Sequence, residues 1–251
     1  MNLNLKGKKV LITGGSRGIG KGIASAFVEE GAKVGIAARD SSELLQTKDE
    51  LGTQIYQKDL SNYDNREKLI EEFTNQFNGI DILVNNMGAS HGNLVINTPP
   101  SKFSEALELN FVAAVHLSQL AARHMMDRGS GVIINIASIY GKEAGGAPSY
   151  NASKAALISF TKSFSSEAIK DNVRVVGIAP GAVYHPNKVW KRRLELDPDF
   201  LDNYASKRIP GGRLGTPGEI GNVAVFLASE KASWIVGTTV TVDGGQSRMN
   251  F

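Results

Sequence analysis

The sequence predicts an α/β fold built on a doubly wound parallel sheet, and three observations carry that expectation. Seven short apolar runs have the length of buried strands, longer segments with helical spacing separate them, and no linker, repeat or low-complexity tract divides the chain. Successive parallel strands need a crossover, usually a helix, so regular alternation of the two periods points to this architecture. A single domain over residues 1–251 is therefore expected.

The elements follow in order. KKVLIT (8–13) is the first strand, and it runs through a glycine-rich turn into the helical pattern KGIASAFVEEG. KVGIAA (33–38) is the second, after which Asp40 and Glu43 stand three apart, as in a capping box that opens a helix. QIYQ (54–57) is the third, and Leu69, Phe73 and Phe77 mark one face of the next helix. DILVNN (81–86) is the fourth, followed by helical spacing at Leu107, Phe111, Val115 and Leu120 within 101–127. GVIINIA (131–137) precedes a helix over 149–170, and VRVVGIA (173–179) and TTVTVD (238–243) complete the set. Residues 182–214 break the rhythm, and an insertion of that length in a compact domain is expected to be a substrate lid or small subdomain.

Composition excludes several classes. With 41% hydrophobic and 21% charged residues in 251, the chain is globular, and a net charge of +3 without a basic block argues against a nucleic-acid partner. The absence of cysteine removes disulfides and thiolate-metal sites, and no metal is expected. Met1 leads into NLNLKGKK with no apolar h-region, and no apolar run approaches the roughly 20 residues that span a bilayer. A soluble, cytoplasmic protein without a membrane partner is the expectation.

TGGSRGIG, Thr13 to Gly20, would present backbone N–H groups and a positive helix end to phosphate. A P-loop would follow Lys21 with a hydroxyl for magnesium, but Gly22 stands there. Gly14, Gly18 and Gly20 instead fit a GxxxGxG dinucleotide turn. An acid about 20 residues past such a turn would take the ribose hydroxyl of NAD(H), whereas arginine suits a 2'-phosphate. Arg39 follows the second strand and Arg17 lies in the turn, so NADP(H) is expected. Asp40 reads as an N-cap or, alternatively, as that acid.

Tyr150 and Lys154, in SYNASK, are four apart and would share a helix face. A phenol titrates near 10, and an ammonium about 4 Å away is worth roughly 4 kcal/mol at an effective dielectric of 20, enough to make it a usable acid and base. Tyr140 serves as a control, since Ala144 stands where it would need the cation. Ser138 closes the fifth strand at the sheet edge where ligands bind, and reads either as a turn residue or as a group that holds a carbonyl. Together the three residues suggest a carbonyl protonated by Tyr150 and attacked by hydride.

In these motifs the sequence resembles the short-chain dehydrogenase/reductase family, with its Rossmann-type fold. TGGSRGIG matches the family's cofactor turn, NNMG (85–88) its NNAG element, Ser138 with YNASK its catalytic residues, Asn110 its helix asparagine, and Pro180-Gly181 the turn after the sixth strand. The motifs fall in the family's order over nearly the whole chain. The resemblance implies Tyr150 as general acid and base, Lys154 lowering its pKa and binding the nicotinamide ribose, Ser138 orienting the carbonyl, and Asn110 supporting a water relay. From its residues alone Asn110 reads as a local distortion of an apolar helix.

The same resemblance implies that Gly14, Ser16, Gly18, Ile19 and Gly20 cradle the pyrophosphate while Arg17 and Arg39 meet the 2'-phosphate. Asp59 and Leu60 would edge the adenine, Asn86 and Gly88 flank the adenosine ribose, and Pro180, Gly181 and Val183 hold the carboxamide. Two positions depart from the family: Met87 replaces an alanine, and His185 stands where a threonine often binds the carboxamide.

The implied activity is an NADPH-dependent carbonyl reductase, reversible as an alcohol dehydrogenase, on a small-molecule ketone. A sugar or polyol dehydrogenase of the same family and a non-catalytic NADP(H)-binding regulator are the alternatives. GRLGTPGEIG and VTVDGG are similar to 3-oxoacyl-[acyl-carrier-protein] reductases, and the cations Lys188, Lys191, Arg192 and Arg193 around Trp190 would steer an anionic acyl thioester or merely form a solvated face. Asp171 would repel an acidic carrier protein. A homotetramer is expected from the surplus of apolar residues on the helices at 101–127 and 149–170.

Overall fold

A computed structural model describes residues 2–185 and 194–250. Its sheet has seven parallel strands in the order β3-β2-β1-β4-β5-β6-β7, which are Lys9–Thr13 (β1), Lys33–Ala38 (β2), Gln54–Gln57 (β3), Ile82–Asn85 (β4), Gly131–Ile136 (β5), Val173–Pro180 (β6) and Thr239–Val242 (β7). Each lies within a residue or two of the apolar run that predicts it. The order reverses between β1 and β4, where helices leave to opposite faces and a crevice opens at the carboxyl ends of the strands.

Alternation along each strand sends neighbours to opposite faces, producing two cores. On one, Val10, Ile12, Ile36, Val84, Ile134 and Val176 pack with Ile23 and Phe27 of α1 (Gly18–Glu29) and Ile220 and Ala224 of a later helix, Pro217–Ala228. On the other, Leu11, Leu83, Ile133 and Val175 pack with Leu69 and Phe73 of α3 (Tyr63–Phe77) and Leu117 and Ala121 of α5 (Ala113–Asp127). Gly22, which breaks the P-loop pattern, has a packing reason: a Cβ there would stand 2.5 Å from the carbonyl carbon of Pro217.

Two local features position the site. α2 (Ser41–Leu51) starts at Asp40, whose side chain accepts from the N–H groups of Ser42 and Glu43. The N-cap reading of Asp40 is thus realised, although Glu43 turns to other partners. The long helical segment is α4 (Pro100–Leu107) joined to α5 by a π-turn at Glu108–Val112, which holds the buried Asn110. A π-turn widens the backbone ladder and re-aims one side chain, the distortion that a polar residue in an apolar helix suggests. α6 (Pro148–Ala168) carries Tyr150 and Lys154, and α7 (Phe200–Arg208) lies in the predicted lid. The cations proposed to steer an acyl thioester, Lys188 to Arg193, and Trp190 among them, lie outside the described residues.

Candidate active site

A cleft of about 1020 Å³ opens along the carboxyl edge of the sheet, from the end of β2 past β1 and β4 to β5 and β6. Its floor near β1 is the glycine turn. Gly14 and Gly18 take φ of +64° and +54°, a region that penalises side chains, and a Cβ on Gly20 would collide with the Gly14 carbonyl. Asn86 stitches this turn to β4, its amide donating to the carbonyls of Thr13 and Gly14 at 3.1 Å each. Thr13 Oγ1 completes the seam by accepting from the N–H groups of Asn86 and Met87 at 3.0 and 3.1 Å. A backbone surface bared of side chains at the start of α1 fits the pyrophosphate of a dinucleotide.

At the β5 end Ser138, Tyr150 and Lys154 all face the cleft. Ser138 caps a short turn by accepting from the Tyr140 N–H at 3.1 Å, so it is a turn residue as well as a neighbour of the tyrosine. Lys154 is 3% exposed, with Nζ donating to the Ile136 carbonyl at 2.7 Å and lying 5.6 Å from the centre of the Tyr150 ring. Burial brings the Lys154 ammonium down to about 8. Burial also pushes the Tyr150 phenol up from its ordinary value, and a hydrogen bond with Ser138 pulls it part of the way back.

This differs from the expectation that Lys154 lowers the tyrosine. The physical reason is that both charges lose water in the same pocket, so the phenolate is disfavoured while its prospective counter-ion is itself driven toward neutrality. Tyr140, which lacks the lysine, shifts in the same direction as Tyr150 and so does not single out an effect of Lys154. It lies off the cleft, and burial first and a hydrogen bond with Tyr204 second push its phenol to about 12.

Asn110 does not border the cleft. It is 1% exposed and binds Ala89 in both directions, accepting from its N–H at 2.7 Å and donating to its carbonyl at 2.8 Å, while also donating to Ser153 Oγ at 2.9 Å. It therefore ties the NNMG strand end to the helix position just before Lys154. Gly88 makes room for this, since a Cβ there would stand 2.8 Å from Asn110 Oδ1.

Gly14, Ser16, Arg17, Gly18, Ile19, Gly20, Arg39, Leu60, Asn86, Gly88, Pro180 and Gly181 all border the cleft as the sequence suggests. Asp59 and Val183 do not. Asp59 points to solvent and binds Ser61, and Val183 is 8% exposed and bridges to Gly215. His185 does reach the wall, with its ring over the glycine turn: a Cβ on Gly18 would lie 2.9 Å from His185 Cδ2. Burial and the Arg17 charge lower its pKa.

Sequence reasoning missed Lys58 and the cleft-facing part of Glu43. The pairing of Ala38 with Gln57 sets Lys58 beside Arg39, so the strand-end rule applied to β3 would have found the lysine.

Comparisons with known proteins extend over the same ground. A family model described as enoyl-(acyl carrier protein) reductase matches residues 14–247. A 3-oxoacyl-[acyl-carrier-protein] reductase of Chlamydia pneumoniae is 35% identical over 98% of this chain and 99% of its own length. A 2-dehydro-3-deoxy-D-gluconate 5-dehydrogenase of Bacillus subtilis is 38% identical over 96% of this chain and 95% of its own. The solved structure of L-sorbose reductase from Gluconobacter frateurii, complexed with NADPH and L-sorbose, superposes with a TM-score of 0.93 at 34% identity, covering 99% of this chain and 100% of that one.

Proposed function

The chain belongs to the short-chain dehydrogenase/reductase family of oxidoreductases, and from that premise we propose that it is an NADPH-dependent carbonyl reductase, reversible as an alcohol dehydrogenase. The observation that carries the reading is the meeting of Ser138, Tyr150 and Lys154 at one end of a cleft whose other half is a glycine cradle. When bound, the nicotinamide supplies the hydride, and the residues of this chain handle the oxygen. Ser138 Oγ holds the substrate carbonyl, and the Tyr150 hydroxyl gives it a proton as the alkoxide forms.

Burial keeps the phenol protonated at neutral pH, which suits a proton donor in the reductive direction. Lys154, brought down to about 8 by burial, still carries its proton near neutral pH and lies 5.6 Å from the centre of the Tyr150 ring. Asn110 fixes the strand end and helix between which this happens. Replacing Tyr150 by Phe is expected to lower kcat by about 10²–10⁴-fold. NADPH affinity, measured by fluorescence titration, should stay within about twofold; wild-type turnover in the variant would end the proposal.

For the cofactor, Arg17, Arg39 and Lys58 gather at the β2 end, while Asp40 is committed to capping α2. This favours NADP(H), and a tighter dissociation constant for NADH than for NADPH would overturn it.

A second reading concerns the substrate. The fit to a structure of L-sorbose reductase and the polar Ser90 in the cleft lining support a hydroxylated ketone as an alternative to a 3-oxoacyl thioester. Turnover of ketoses and sugar acids against 3-oxoacyl thioesters, with the preferred cofactor, separates the two.

A further inference from the structure

One carboxylate in the cleft has no part in the chemistry above. Glu43, in the first turn of α2, accepts from Ser16 Oγ through Oε2 at 3.0 Å and from Arg17 Nη1 through Oε1 at 3.0 Å. Both donors belong to the glycine turn. One turn further along α2, the buried Thr47 donates its hydroxyl to the Ser16 carbonyl at 2.9 Å. The helix thus grips the turn twice, by a buried bond that stays and by a carboxylate that borders the cleft with 30% of its side chain exposed.

The neighbouring charges sharpen the point. Asp40 Oδ1 is taken by the backbone N–H and hydroxyl of Ser42 and by the Glu43 N–H. Lys58 is paired with Glu72 at 2.7 Å, and the charge of Arg39 acts on Asp59. Arg17, with 66% of its side chain exposed, is the cation that the glycine turn itself offers, and Glu43 holds it. A carboxylate and a phosphate present the same acceptor chemistry to a guanidinium and a hydroxyl. An exposed pair of this kind contributes little and is weak enough to be exchanged.

We infer that Glu43 is a built-in competitor for the 2'-phosphate of the cofactor, holding Arg17, with Ser16 of the pyrophosphate cradle beside it, until that phosphate takes the guanidinium, and that it sets how strongly this chain prefers NADPH to NADH. The inference rests on the NADP(H) reading above. Glu43 acts through Arg17 and Ser16, so it is a specificity-determining, positioning residue. Removing its charge frees both donors and also relieves repulsion of an incoming dianion.

The test is equilibrium binding of NADPH, NADH, 2',5'-ADP and 5'-AMP to the wild type, E43Q and E43A. Both variants should tighten NADPH and 2',5'-ADP by up to about fivefold, the scale of one exposed ion pair. NADH and 5'-AMP should move less than about twofold, and adding Arg17→Met should erase the gain. A merely structural role would move all four ligands together and overturn the inference, as would unchanged 2',5'-ADP binding. A tenfold loss of NADH affinity would instead make Glu43 the acceptor of the ribose hydroxyls. If E43Q folds poorly in a thermal melt, E43A gives the same four ratios. Failure of the cofactor reading is distinguishable: the wild type would then prefer NADH and Arg39→Ala would leave NADPH binding unchanged, while the 2',5'-ADP gain in E43Q still decides whether Glu43 competes.

Discussion

At the β2 end of the cleft, Arg17 is paired with Glu43 and Lys58 with Glu72 near the water, with Arg39 and Asp40 beside them; at the β5 end, Lys154 is 3% exposed and bonded to a strand carbonyl. The two ends use charge differently because they differ in solvation. In water a charge changes binding by small increments and can be swapped, whereas a desolvated one changes its own protonation. Recognition of a cofactor phosphate suits the first setting, and proton transfer suits the second.

The contrast can be broken most sharply at the buried end. Ser138→Ala should lower kcat by about 10²–10³-fold, the scale of removing one donor to a developing oxyanion, with NADPH affinity nearly unchanged. A loss confined to KM would mean that the serine binds substrate without serving the reaction.

Lys154 gives the next largest effect, read in stability. Its pKa is about 8 in the folded chain against an ordinary value of 10.5, so between these limits the unfolded chain binds a proton that the native state does not. Native stability therefore rises with pH across that window, by about 3 kcal/mol from this group. Lys154→Met should remove the rise, which urea unfolding of both proteins at pH 8 and pH 10 would reveal. Parallel behaviour of the two would show that the ammonium is not desolvated.

The exposed end should respond less. Arg39→Ala is expected to weaken NADPH about tenfold with NADH little changed, since one charge-assisted contact is lost. An equal loss for both cofactors would place Arg39 against the shared adenosine. His185 should matter least. Its ring covers Gly18, in the turn that both cofactors would share, so His185→Ala should weaken both by less than about fivefold and leave their ratio intact. A shift in that ratio would join His185 to the polar end.

Much of this molecule was legible in the residues. The seven strands could be read because parallel strands buried on both faces are continuously apolar, and Tyr150, Lys154 and Ser138 because strand ends and helical spacing bring them together. Val183 was less legible: the turn after β6 sends it to a bridge with Gly215, a partner thirty-odd residues away that no local pattern announces. Asn110 could be read as a distortion, but its grip on Ala89 and Ser153 joins three separate segments.

The sequence by itself determined the order of strands and helices, the glycine cradle and the candidates for the reacting groups, because these depend on local periodicity and on chemistry that each side chain carries alone. Only the tertiary structure decided their charge states and pairings. Tyr150 is raised by burial despite Lys154, and Arg17 is held by Glu43, because desolvation and partner choice are set by atoms that arrive from distant parts of the chain.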